Sequence, residues 1–334
     1  MHDSSPSTAR RFRTRRSFLS ASVGTVTAAI LGACSSGQDS TTSTLSQPFW
    51  GCFLPANVVA RADSTNAIDQ LAKLAGTSPN VVHVYASIND QLPVAALDLV
   101  RGSAATPFLT LEPWNPHAEQ NQSEFALGRI AAGQYDAALH RWASQLAAWK
   151  HPVLLRFAQE MNGSWYPWSI GVNGNTATEY RDVWERVHAI VSKKAANVSF
   201  VWAPNAITEG TTDFTNCYPG AEFVDYLGLD GYNWGAIPGH QWQSADKLFS
   251  QSIAALDRLA PDLPIQVTEV GCAEGDQPER KAEWIQDFFT VIEANDRVSG
   301  FVWFQMDKER DWRFNSSPES TAAFREGLSQ WMRR

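Results

Sequence analysis

The chain has 334 residues, 44% hydrophobic and 19% charged, with a formal net charge of −8. That length suits two average domains or one large α/β barrel, which needs roughly 250 residues, and the apolar content is ample for a core. The acidic balance argues against nucleic acid as a partner and against electrostatic adhesion to anionic lipid.

Residues 1–34 stand apart from the fold. Arg10, Arg11, Arg13, Arg15 and Arg16 make a basic start, and an apolar stretch follows from Ala21 to Leu31. It is short for a transmembrane helix, which needs roughly 17–25 residues. Thr14-Arg15-Arg16-Ser17-Phe18-Leu19 resembles a twin-arginine export signal. Leu31-Gly32-Ala33-Cys34 resembles a bacterial lipobox, whose cysteine is acylated and becomes the new N-terminus. Residues 35–47, rich in Ser and Thr, read as a flexible tether. Membrane lipid is then a partner through acylated Cys34, with ordinary secretion as the other outcome. Removal of residues 1–34 leaves 22 basic and 34 acidic residues, a net charge near −12. Beyond Cys34 the cysteines are Cys52, Cys217 and Cys272, with no CxxC pair and no zinc-ligand spacing. In an oxidising compartment they permit one disulfide and leave one thiol over.

From Pro48 onward short apolar runs alternate with longer amphipathic ones. A strand at 49–53 precedes a helix at 67–75, with Ile68, Leu71, Ala72 and Leu74 at helical spacing. A second strand at 81–85 leads to a short helix at 93–100 with Pro93 at its start. The third, 107–111, ends in Glu112-Pro113-Trp114. A helical region at 122–149, broken near Gly133, carries Leu139, Trp142, Ala143, Leu146 and Trp149 on one stripe. The fourth strand, 153–157, runs straight into Gln159-Glu160-Met161-Asn162-Gly163 and two tryptophans. A helix capped near Asn175 or Thr176 continues to about 195, and a fifth strand at 198–202 ends in Ala203-Pro204-Asn205. A sixth strand at 226–233, a helix at 244–259, a seventh strand at 264–268 and a helix at 279–293 follow. An eighth strand at 300–304 and a last helix at 318–332 complete the series.

Eight strands, each followed by a helical run, imply parallel strands joined by crossovers. The predicted fold class is α/β, a single (β/α)8 barrel over residues 48–334, with no second domain. No glycine-rich phosphate loop follows the first strand, which weakens the open nucleotide-binding alternative. No metal or nucleotide cofactor is expected.

In such a barrel the C-terminal strand ends share one face, so distant residues become neighbours. Those ends carry Trp114, Glu160, Asn205, Asp230, Tyr232, Glu269 and Trp303. Seen alone, Glu160 is either a solvent-facing cap or part of a site. A second glutamate across the mouth favours the site, because paired carboxylates with aromatic walls are what glycoside hydrolysis needs. Many of the 14 tryptophans fall at strand ends or in loops, where they offer flat platforms for sugar rings. Any single Trp reads equally as core.

Several segments then match one family in order. Arg156-Phe157-Ala158-Gln159-Glu160-Met161-Asn162-Gly163 with Trp165 and Trp168 resembles the acid/base motif of glycoside hydrolase family 26. Gly133-Gln134-Tyr135-Asp136, Tyr218-Pro219-Gly220, 224–233 and 264–271 match too. The family consists largely of β-mannanases, with some β-glucanases and β-1,3-xylanases. The resemblance implies retention through a glycosyl-enzyme, with Glu160 as general acid/base and Glu269 as nucleophile. It implies Tyr232 as the residue orienting the nucleophile, Asp230 as a polar sugar contact, and Trp165 and Trp303 as aromatic walls. Gln159 departs from the family pattern, which usually has histidine there. Glutamine donates and accepts hydrogen bonds but does not change charge near neutral pH. The departure bears on which β-linked polysaccharide (β-mannan, β-glucan or β-xylan) is the partner. Gln159 and Trp114 complete the expected sugar contacts.

Arg156 reads either as a buried ion-pair partner or as a substrate contact, and His83, His117 and His151 as ordinary residues. The expected protein is an exported, lipid-anchored monomer cutting a polysaccharide internally. The rivals are a silent glycan-binding barrel and a hydrolase remodelling the cell's own surface polysaccharide.

Overall fold

The computed structural model describes residues 48–55 and 67–334. The export segment, Cys34 and the tether lie outside the described residues. Strand β1 (Phe49–Phe53) is followed by α1 (Ala67–Ala75), β2 (Val81–Ser87), α2 (Val94–Gly102) and β3 (Thr106–Glu112). Then come α3 (Leu127–Ala131), α4 (Asp136–Trp149), β4 (Val153–Phe157), α5 (Ala177–Ser192) and β5 (Val198–Trp202). The series ends with β6 (Tyr226–Asn233), α6 (Ala245–Leu259), β7 (Ile265–Cys272), α7 (Pro278–Glu293), β8 (Val298–Phe304) and α8 (Pro318–Trp331). The strands form one closed barrel in chain order, all pairs parallel, with β8 returning to β1. This is the (β/α)8 barrel expected. Among the described residues, no helix is long and apolar enough to cross a membrane.

Local chemistry explains the elements. The apolar stripe of α4, Leu139, Trp142, Ala143, Leu146 and Trp149, is buried against the barrel. Helix α5 opens with a capping box: Thr176 Oγ1 accepts from Glu179 N, and the Glu179 carboxylate accepts from Thr176 N. The expected break near Gly133 is present. A 3₁₀ turn (Ser123–Phe125) and α3 precede α4, with Gly133 at φ 88° in the intervening turn.

Inside the barrel, side chains alternate inward and outward along each strand. Phe49, Val81, Phe108, Leu154, Val201, Tyr226 and Val302 form a separate apolar cluster that plugs the lower barrel. Gly300 is required there, because a Cβ would meet the Phe49 ring within 2.4 Å. Above the plug the inward positions turn polar, with His83, Thr110, Arg156, Asp230 and Thr268 all fully buried. Strands β2, β3 and β7 run past their predicted ends, since the inward chemistry turns polar before the backbone leaves the sheet.

The three described cysteines are buried and free, so the disulfide that the sequence permits does not form.

Candidate active site

Glu160 follows β4 in a turn of costly backbone geometry. Ala158 and Glu160 have φ of 46° and 54°, values that a residue with a Cβ seldom adopts. The fold fixes the turn from several sides. Glu160 N donates to Ala203 O at 2.8 Å, Trp168 Nε1 to Gln159 O at 2.7 Å, and Tyr180 Oη to Ala158 O at 3.1 Å. The carboxyl thereby turns over the barrel mouth. Its Oε1 accepts from Asn205 Nδ2 at 2.8 Å and its Oε2 from Trp165 Nε1 at 2.6 Å. Burial and then the charge of Glu269 push its pKa up to about 7, partly offset by the Asn205 and Trp165 donors.

Glu269 is aimed by a bulge. Leu229 pairs with Val267 and Asp230 with Glu269, so Thr268 is an extra residue in β7. A one-residue bulge lets consecutive side chains turn to the same side. Thr268 Oγ1 donates to Asp230 Oδ1 at 2.5 Å, while Glu269 reaches the mouth. Its Oε2 accepts from Tyr232 Oη at 2.5 Å, and its Oε1 accepts from Tyr85 Oη at 2.5 Å and from the Arg156 guanidinium. The two glutamates face each other: one oxygen of each, together with one of Asp230, lies within 4.8 Å of the others. Such a trio of acids resembles a cation site, but here Arg156 stands against two of them as the positive charge.

Arg156 is wholly buried. Its Nη1 pairs with Asp230 Oδ2 at 2.6 Å, Nη2 with Glu269, and Nε donates to Thr110 Oγ1 at 2.8 Å. It is a buried ion-pair partner and not a sugar contact. Thr110 Oγ1 also lies 2.7 Å from Nε2 of His83, in a hydrogen bond whose direction follows the imidazole tautomer. Burial, then the Arg156 charge, depress the His83 pKa well below the usual histidine range. His83, expected to be an ordinary residue, is therefore part of the network behind Glu269.

Three expected sugar contacts, Asp230, Trp303 and Gln159, are corrected, because all three are fully buried. Asp230 is fully buried and both its oxygens are taken, by Arg156 and Thr268. It braces Arg156 from beneath the site. Trp303 is also fully buried, with Nε1 donating to Trp312 O at 2.8 Å and its ring packed edge-on against Phe324 and Phe288. With Val302 inside the barrel, the alternation turns Trp303 out toward the helices. Phe304 takes the inward place, stacked on Phe53 at 4.6 Å and edge-on to Tyr232.

Gln159 is sealed as well. Its Nε2 donates to Glu112 Oε1 at 2.8 Å, while its Oε1 has no partner. Glu112 also accepts from Trp114 Nε1 at 3.1 Å, and burial pushes its pKa up to about 7. Trp114 is half-buried and Trp165 is exposed at the rim. Tyr85, Glu112 and Asn205 join this network through hydrogen bonds to Glu269, Gln159 and Glu160, and the sequence reading did not single them out as site residues. Tyr85 and Glu112 sit at inward positions on β2 and β3, a signal that barrel alternation could have yielded.

A closed (β/α)8 barrel with two buried, facing glutamates under aromatic walls defines the protein as of glycoside hydrolase type. More specifically, residues 105–309 match the model of glycosyl hydrolase family 26, and the chain belongs to that family. It is 34% identical over 281 residues to Endoglucanase H of Acetivibrio thermocellus, covering 81% of this chain and 30% of that protein. It is 26% identical over 201 residues to the β-1,3-xylanase TXYA of a Vibrio species, covering 55% of this chain and 42% of the relative. The chain thus spans less than half the length of these curated relatives. The catalytic domain of a Bacillus endo-β-1,4-mannanase has the same fold, with a TM-score of 0.65 at 19% identity over 87% of this chain and 88% of that one.

Proposed function

We propose that this barrel is a retaining, endo-acting glycoside hydrolase whose substrate is a β-linked glucan. The observation that carries the mechanism is the approach of Glu160 and Glu269, with carboxyl oxygens within 4.8 Å. A retaining pair stands roughly 5–5.5 Å apart, and an inverting pair needs about 6.5 Å or more to admit a water. The two environments also divide the roles. Glu160, held protonated toward pH 7 by burial and by Glu269, is suited to give a proton. Glu269 accepts three donors, one of them cationic, and is suited to act as an oriented anion.

In the first step a Glu269 oxygen attacks the anomeric carbon, the glycosidic C–O bond breaks, and Glu160 transfers its proton to the departing oxygen. In the second, Glu160 as carboxylate takes a proton from water. The hydroxide oxygen attacks the same carbon, and the bond to Glu269 breaks. Two inversions give net retention.

One observation supports a glucan, the 34% match to Endoglucanase H over most of the chain, while Gln159 in place of the family's usual histidine speaks against plain mannan without choosing between glucan and xylan. The test is a panel of soluble β-mannan, mixed-linkage β-glucan and β-1,3-xylan, with the first-formed anomer followed by NMR. Glucan cleavage with a β-configured product is expected. Exclusive mannan cleavage overturns the substrate, and an α-configured product overturns the mechanism. Export and anchoring at an acylated Cys34 belong to the same reading, since a polysaccharide too large to enter a cell is met outside it.

A further inference from the structure

Lys281 is a cation in an unfavourable place. Its side chain is fully buried, and it lies in the first turn of α7, where the helix dipole opposes positive charge. Its three ammonium protons have three acceptors. Nζ donates to Asp311 O at 2.8 Å and to Ser316 Oγ at 2.7 Å, and pairs with Glu274 Oε1 at 3.3 Å. Ser316 Oγ donates in turn to the Glu274 carboxylate. The ammonium thus ties the segment after β7, which holds Glu274, to the segment after β8, which holds Asp311 and Ser316. Trp312 follows Asp311 directly and is buried, with its N donating to Met306 O at 3.0 Å and its O accepting from Trp303 Nε1 at 2.8 Å. Its ring meets the Tyr232 ring edge-on at 4.9 Å, and the Tyr232 hydroxyl donates to Glu269 Oε2 at 2.5 Å. Gly271 of β7 permits that approach, since a Cβ there would stand 2.9 Å from Tyr232 Cδ1 and 3.1 Å from Trp312 Cε3.

We propose that Lys281 is a positioning residue for the reaction: by fixing the segment after β8 it sets Trp312 against Tyr232, and so holds the Tyr232 hydroxyl on Glu269. This rests on the glycoside hydrolase reading above, in which Glu269 is the nucleophile. Contact is continuous from the ammonium to the carboxylate, through the Asp311 carbonyl, the Trp312 ring and the Tyr232 phenol. Tyr232 is only half-buried, and its other ring contact is the Phe304 edge at 5.6 Å, so Trp312 is its main lateral support. An apolar side chain in place of Lys281 would fill the space at a lower desolvation cost. It would not bond the carbonyl of the peptide that leads into Trp312. A buried charge that breaks two local rules at once is expected where function needs the geometry it fixes.

The test is a double-mutant cycle between Lys281→Met, which keeps the unbranched stem and removes the charge, and Tyr232→Phe. The kcat/KM of all four proteins is measured on 4-nitrophenyl β-cellobioside, well below their unfolding midpoints. Lys281→Met is expected to lose about 3- to 10-fold, part of the worth of the Tyr232 bond to a charged group. With Tyr232→Phe already in place, the same substitution should cost no more than about 2-fold, because the bond it acts through is gone. A merely structural lysine gives the same loss in both backgrounds, and that result, or no loss in either, overturns the proposal. If Lys281→Met does not fold, Ser316→Ala, which removes one of the three acceptors, replaces it in the cycle and is read by the same criteria. A wild type that cleaves neither this glycoside nor any polysaccharide overturns the hydrolase reading alone. Crystal structures of wild type and the folded variant then decide the positioning role. Tyr232 Oη displaced beyond hydrogen-bond distance of Glu269 sustains it, and an unmoved Tyr232 overturns it.

Discussion

The hydroxyl of Tyr232 lies 2.5 Å from Oε2 of Glu269, and the bulge at Thr268 is what brings the two together. The contact joins adjacent strands β6 and β7 and sets the direction from which the carboxylate meets a sugar. Tyr232→Phe should lower kcat/KM by about 10- to 100-fold, the worth of a hydrogen bond to a charged group. Circular dichroism and the unfolding midpoint should barely change, because the ring still packs on Trp312 and Phe304. Steady-state rates on an aryl β-glycoside measure the effect.

Glu160→Gln and Glu269→Gln each preserve size and polarity while removing, respectively, the acid and the nucleophile. Each should cost at least about 10²- to 10⁴-fold in kcat on polysaccharide, the usual scale of acid–base catalysis. Glu160→Gln should be milder on an aryl glycoside whose leaving group needs little protonation, and Glu269→Gln equally severe on both. Near-normal turnover of polysaccharide by either variant removes that glutamate from the mechanism.

The pH profile follows from the sign of the Glu160 shift. Its pKa is raised to about 7, and the reactive form is the acid, so kcat/KM should fall as pH rises through that value. Asn205 Nδ2 donates to the carboxylate and lowers the pKa, so Asn205→Ala should move the alkaline limb to higher pH. A limb that stays in place or moves down contradicts this account.

Arg156→Met tests the buried network. Removing one partner of a buried ion pair costs about 3–5 kcal/mol, and here it strands Asp230 and Glu269 together. Thermal or urea unfolding should show a loss on that scale. Arg156→Lys should recover little, since an ammonium cannot bridge Asp230, Glu269 and Thr110 at once.

Cys34→Ala should release the protein from membranes if acylation there is its anchor. Fractionation of cells that express each form gives the result, and unchanged membrane association discards the lipobox reading.

Much of the fold was legible because it depends on local repetition. Apolar runs such as 81–85 and 198–202 and the stripe of α4 recur at strand and helix periods, which tertiary context rarely overrides over eight repeats. Glu160 and Glu269 were legible because a barrel brings strand ends to one face whatever their spacing in sequence. The direction of individual side chains was less accessible. Trp303 was expected at the wall of the site and lies behind the barrel, since one position along a strand exchanges inside for outside. Asp230 was expected to meet a sugar and instead meets Arg156, a contact between residues 74 positions apart that no local pattern announces.

By itself, then, the sequence determined the barrel, its eight strands in order and the two glutamates near the ends of the fourth and seventh, because hydrophobic periodicity and strand order are properties of neighbours along the chain. Only the tertiary structure decided what surrounds those glutamates. The positive φ of Glu160, the Thr268 bulge and the Arg156 bridge arise from packing between distant strands and loops. There the cost of a strained turn or a buried charge is balanced by partners that the chain supplies only once the barrel has closed.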